Sequence, residues 1–230
     1  MKLSTEQIEK LYQFTRQHYV EYYDLQTELV DHLANGIEEQ WQEKPKLSFD
    51  EALQVEFKKF GVFGFMDVVE KRTAAMNKRY NKMILNHLKV YFRIPQIIGT
   101  IAAVGIVFYL LKMSLVSVFT MSILGLISIG FLFFSLFYLV RKRKKYEAKT
   151  GKKWMLKEII FGHSTSLGLI QFPIQLFLQI DEPLVDIWLL IFSVFFVLIF
   201  ICEYIIIFEI PSKAEDYLKQ TYPEYEFSKI

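Results

Sequence analysis

Four long apolar runs set the terms for this chain: Ile94–Leu111, Leu115–Val140, Ile159–Ile180 and Leu184–Ile210. A membrane-spanning helix needs roughly 20 apolar residues, and in hydrocarbon only a helix or a closed barrel satisfies its own backbone polar groups. The runs therefore predict four transmembrane helices. The first is the shortest and the third the most polar. The second and fourth exceed about 30 Å at 1.5 Å per residue and should tilt or protrude. Composition agrees: of 230 residues, 53% are hydrophobic and 17% aromatic, above the apolar share usual in soluble domains.

Cationic residues gather on one side of these runs. Lys71, Arg72, Lys78, Arg79, Lys82, Lys89 and Arg93 precede the first, and Arg141, Lys142, Arg143, Lys144, Lys145, Lys149, Lys152, Lys153 and Lys157 separate the second from the third. The opposite side offers Lys112 in one turn and Asp181 with Glu182 in the other. Basic flanks stay in the cytoplasm, so a multi-pass membrane protein is expected, with both termini on the cytoplasmic side. Met1–His18 is polar and amphipathic, unlike a secretory signal. Outer connections of a few residues leave nothing to hold a large extracellular ligand, so partners are expected in the cytoplasm or the membrane. Arg141–Lys145 follows the second run directly and reads as an anchor for anionic lipid headgroups. It lacks the interleaved aromatics of a single-strand binder, and a net charge of +2 gives no further reason to expect nucleic acid.

Residues 1–90 read as a cytoplasmic helical domain with a basic connector. Ser4 and Gln7 form a capping box, and Leu3 with Ile8 can close a hydrophobic staple. A second helix is expected to start at Asp24 as N-cap, with Leu25, Leu29, Leu33, Ile37 and Trp41 on its apolar face. Pro45 ends it. Ser48 and Glu51 open a third helix, and Gly61 suits the left-handed residue after its end. A fourth, over about Phe65–Leu88, gains positive charge toward the first apolar run.

Glu28-Leu29-Val30-Asp31-His32-Leu33, then Ser48-Phe49-Asp50-Glu51-Ala52, then Phe60-Gly61 resemble the small helical HAAS and permease prefix domains. Those read as an E-L-x-D-H-L helix, a helix opening with x-E-E-A, and a closing F-G or L-G. They precede membrane spans in bacterial proteins. The likeness covers about residues 1–75. Where the family usually carries an Asp-Pro pair after the glycine, this chain has Val62-Phe63-Gly64. The resemblance implies a cytosolic interaction module and carries over no enzymatic activity.

Candidate sites are few. Glu28 and His32 lie one turn apart beside Asp31, a spacing that could ligate a metal; further ligands are not evident, so no metal and no cofactor is expected. Glu28, Asp31, His32 and Trp41 are the candidate partner-docking residues. Within the spans, His163 and Glu203 should each lie roughly 9–10 Å deep, from 1.5 Å per residue, where they could pair across the third and fourth helices. Ser164, Gly168, Gln171, Gln175 and Gln179 make one polar stripe on the third span beside Pro173, either buried bundle interface or the lining of a path. Gly99, Ala103, Gly125 and Ser128 permit close helix packing. No phosphate loop, zinc-protease motif or nucleophile elbow occurs, and the lone Cys202 excludes an intramolecular disulfide. The tail should restart a helix behind a Ser212–Glu215 capping box and dock on the N-terminal domain or the bilayer surface.

The expected architecture is thus all-α: residues 1–90 cytoplasmic, 91–210 a four-helix membrane bundle, 211–230 a short cytoplasmic helix. The expected function is that of a non-enzymatic membrane-anchored adaptor or regulator that binds another protein and meets anionic lipid, with homo-oligomerisation open. The alternatives are a small transporter or permease accessory subunit using the third-span stripe, and a membrane enzyme of unrecognised class.

Overall fold

The computed structural model describes residues 2–113, 117–162, 185–222 and 225. These are helical throughout, with no strand among them. The helices are α1 (Thr5–Gln17), α2 (Tyr23–Glu43), α3 (Phe49–Lys58), α4 (Met66–Val90), α5 (Gln96–Lys112), α6 (Ser117–Thr150), α7 (Met155–Gly162), α8 (Asp186–Tyr204) and α9 (Ala214–Thr221). Between α8 and α9 the chain widens into a π-helix, Ile205–Glu209, and then a short α turn, Ile210–Ser212.

The head is α1 to α3. Ser4 Oγ accepts from the Gln7 N–H at 3.3 Å while Gln7 Oε1 accepts from the Ser4 N–H at 2.8 Å, the reciprocal box expected at the start of α1. Ser48 and Glu51 repeat it on α3, at 3.3 and 3.1 Å. Leu11, Leu25, Leu29, Leu33, Ile37, Ala52 and Leu53 are buried together. Gly61 adopts φ +79° and Gly64 φ +54°, so two left-handed residues fold the α3–α4 connection. A Cβ on Gly64 would also stand 2.9 Å from Phe57 Cζ. This sharp turn delivers Phe65 into an aromatic cluster with Phe14, Phe57 and Phe60.

Three expectations are corrected here. Asp24 is not the N-cap of α2: Tyr22 holds that position without a side-chain bond, and Asp24 is buried in the first turn. Trp41 is not on the surface. It is 6% exposed, and its indole N–H donates to the Leu47 carbonyl at 2.9 Å, which tucks the α2–α3 loop beneath it. The tail has no Ser212–Glu215 box. Ser212 still belongs to the helical turn after the π segment and donates to the Glu209 carbonyl, so Lys213 becomes the N-cap of α9.

Among the described residues two helices are long and apolar enough to cross a membrane, Gly125–Lys145 within α6 and Asp186–Ser212 over α8 and its continuation. α5 is apolar but shorter, at 17 residues. Lys112 at the end of α5 pairs with Asp186 at the start of α8 at 2.6 Å, so these two helices run antiparallel. Large apolar side chains stand exposed along all three: Ile98 and Ile101 on α5, Phe133 and Phe137 on α6, Trp188 and Phe195 on α8. Exposed apolar surface on this scale calls for something other than water to cover it. Gly99 meets nothing within 4 Å among the described residues. Of the expected third span, the described part is its beginning, in α7.

Candidate functional site

Two joints tie distant helices together: one binds α4 to the segment that follows α8, and the other binds α2 of the head to α7 and the tail. The first centres on His87, on the inner face of α4. Its Nδ1 lies 2.6 Å from Glu209 Oε1 and its Nε2 2.7 Å from the Tyr217 hydroxyl. A carboxylate only accepts, so Nδ1 donates to Glu209, while Nε2 and the Tyr217 hydroxyl share the second bond. One ring thereby joins α4, the π-helix and α9. Lys213 stands 3.5 Å from the same Glu209 oxygen. Burial, reinforced by the Glu209 charge, raises the Tyr217 pKa, and the same two causes raise that of Tyr91. The extra residue of a π turn rotates the following side chains relative to a regular α-helix, and such turns recur at functional positions; here Glu209 is the last π residue.

The second joint is built around Trp154, which is fully buried. Tyr23, Tyr222 and Tyr225 surround its ring at centroid distances of 5.3, 4.9 and 5.2 Å. Beside it the Tyr23 N–H donates to the Lys153 carbonyl at 2.7 Å, and the Met155 N–H donates to Asp24 Oδ1 at 3.1 Å. Met155 is the first residue of α7, so Asp24 caps that helix from another one. A carboxylate at a helix N-terminus satisfies an orphan N–H and faces the positive end of the helix dipole. Burial nonetheless raises the Asp24 pKa, with the Met155 N–H and the Tyr222 hydroxyl opposing the rise.

The proposed docking residues separate. Glu28 is exposed and 3.3 Å from Arg72 of α4; Asp31 and His32 are exposed on the same face of α2, and the His32 ring lies edge-on to Phe60 at 5.5 Å. Trp41 is in the core. Glu28 and His32 each have a protein neighbour, and no group of three or more metal-ligating side chains gathers among the described residues. The lipid-headgroup residues divide too. Lys142 donates to the Pro211 carbonyl at 3.2 Å and Arg143 pairs with Glu158 at 2.5 Å, so these two clamp α6 to its neighbours. Arg141, Lys144 and Lys145 are exposed. Glu203 is buried in α8 at 1% exposure. His163, Ser164, Gly168, Gln171, Pro173, Gln175 and Gln179 lie outside the described residues.

An open cleft of about 620 Å³ lies between the head and the α6–α7 turn, lined by Tyr12, Arg16, Tyr23, Lys152 and Lys153 among others. Two of its cations are committed, Arg16 to Glu9 at 3.0 Å and Lys153 to Glu21 at 2.9 Å, and Lys152 sits 3.8 Å over the Tyr23 ring. Neither joint opens into this cleft as a nucleophile with a base; His87 and Glu209 line no part of it. Both joints hold helices together, α4 to the π-helix and α9 in the first and α2 to α7 and the tail in the second. Sequence reasoning missed His87 and Tyr217 because they are 130 residues apart; the placement of His87 on the apolar side of a basic helix was the one available signal. In comparison with known proteins, no family model matches the chain, and no curated protein or solved structure shows significant similarity to it.

Proposed function

We propose that the chain is a non-enzymatic membrane-anchored adaptor or regulator, with a HAAS-like helical head carried on a bundle of four spans in a bacterial cytoplasmic membrane, both termini inside. The head binds a partner protein through the exposed face of α2 carrying Glu28, Asp31 and His32. The observation that carries this reading is the double joint. A head that merely hung from a linker would need no buried Trp154 against Tyr23 of α2, and the helix that leads from it, α4, would need no Glu209–His87–Tyr217 bridge. Locked on both sides, it passes a load from a docked partner to α4 and α7, and through the π-helix to α8. Two packed arrangements of such a joint would give regulation its physical element.

The test is co-purification in mild detergent of the tagged full chain against a D31K variant, whose substitution is exposed and leaves both joints and the Glu28–Arg72 pair intact. A stoichiometric protein retained by the first and lost by the second supports the adaptor. Equal retention by both, or none by either, overturns it.

A further inference from the structure

The basic residues next to the membrane come from two distant stretches of sequence, and the structure brings them to one level. His87 of α4 bonds Glu209, and Lys142 of α6 bonds the Pro211 carbonyl. Residue 87 and residue 142 thus stand within one turn of Ile210, on the two elements that flank it. Around that level Lys82, Lys89 and Arg93 of the α4 end are exposed, and so are Arg141, Lys144 and Lys145 of α6.

The α4 end is not an ordinary solvated face. Lys82, Leu85, Lys89 and Phe92 follow one another at spacings of three, four and three residues, which places them on one side of the helix. Leu85 and Phe92 are 56% and 51% exposed, although apolar. The opposite side carries the buried Met76 and Tyr80 and the His87 joint. Beyond Phe92 further exposed apolar residues follow, Ile94 at 83%, then Ile98 and Ile101 on α5. Apolar side chains alternating with lysines, and running into an apolar helix, match the interfacial layer of a bilayer, where the apolar parts enter the acyl boundary and the ammonium groups reach the phosphates.

We propose that Lys82, Lys89 and Arg93 of α4, with Arg141, Lys144 and Lys145 of α6, form a basic collar that binds the phosphodiester headgroups of anionic phospholipids, with Leu85 and Phe92 seated among the lipids. This rests on the reading of the chain as membrane-spanning. Lys71 and Lys78 lie on the same helix face but about one to three turns beyond Lys82, toward the head, and belong to solvent. An acidic protein partner running along α4 would instead engage Lys71 and Lys78 as strongly as Lys82 and Lys89.

The full-length protein is reconstituted into phosphatidylcholine vesicles containing spin-labelled phosphatidylglycerol or spin-labelled phosphatidylcholine, and the motionally restricted lipid is measured for each. Each basic residue near a charged surface adds about fivefold at low ionic strength. The wild type is expected to prefer phosphatidylglycerol by at least about fivefold, with the preference lost near 1 M salt, where the Debye length is about 3 Å. The K82Q/K89Q/R93Q variant is expected to lose most of the preference and K71Q/K78Q to keep it. No preference in the wild type, or an equal loss in the two variants, overturns the collar. Flotation separates this from failure of the underlying reading: a protein that does not float with the vesicles is not membrane-spanning, whereas one that floats without lipid preference lacks the collar alone.

Discussion

Replacing His87 with alanine tests whether the first joint holds the molecule together. The substitution removes two hydrogen bonds, at 2.6 and 2.7 Å. The neutral bond with Tyr217 contributes about 1 kcal/mol and the charge-assisted one with Glu209 about 1.5–3 kcal/mol. The Glu209 side chain is 24% exposed and keeps Lys213 at 3.5 Å, so water and that lysine recover part of the loss. A net cost of about 3 kcal/mol is expected, which lowers Tm by roughly 6–12 °C for a chain of this length. Tyr217→Phe removes only the weaker bond and should lower Tm by roughly 2–4 °C, the equivalent of about 1 kcal/mol. The single cysteine, Cys202 of α8, is only partly exposed and provides the assay, since a thiol-reactive fluorophore reports its exposure as detergent-solubilised protein is heated. Because Tyr217 has lost its partner once His87 is gone, H87A/Y217F should match H87A to within about 0.5 kcal/mol. If H87A melts within about 1 °C of wild type, or if the two costs add in full, the joint does not bear the load assigned to it.

Other outcomes follow from the second joint and the head. Asp24→Ala strips α7 of its cap and should cost about 1–2 kcal/mol, whereas Asp24→Asn keeps the acceptor for the Met155 N–H. Since burial raises the Asp24 pKa, the wild-type stability due to this group is full below the ordinary carboxylate range and declines as pH rises through the raised value; thermal scans from pH 4 to 8 should show that decline in wild type and not in D24N. Trp154→Ala should cost about 3–5 kcal/mol, while Trp154→Phe should cost under about 1.5 kcal/mol, because the buried indole N–H has no acceptor to lose among the described residues; chemical denaturation followed by circular dichroism ranks the two. Gly36→Ala would drive a methyl into the buried Glu56 carboxyl, which Gln40 and Lys59 pin in place; the overlap costs about 1–3 kcal/mol and outweighs the gain in helix propensity, again read by denaturation.

What the sequence made legible was what short-range chemistry decides. The Ser4 and Ser48 boxes, the left-handed Gly61 and the apolar runs of α5, α6 and α8 each depend on residues within a turn or two of one another. Trp41 and Asp24 were misplaced for a shared reason. An aromatic at helical spacing and a carboxylate at a helix start each have two good solutions, and tertiary burial selects between them. Trp41 found the Leu47 carbonyl, and Asp24 found the start of a different helix 131 residues on. The π-helix was not legible either, because Ile205–Phe208 is apolar in either helical form and the widening shows only in where it sends Glu209. His87 pairs across 122 and 130 residues, a range at which periodicity carries no information.

The adaptor reading turns on the outer face of α2, and a photo-reactive amino acid at position 31 of the full-length protein, irradiated in native membranes, examines it most directly. The account predicts a discrete protein adduct from position 31 that is absent when the same probe replaces exposed Gln13 on α1. Irradiation that leaves the position-31 protein at its own mass, or that yields the same adducts from both positions, would contradict it.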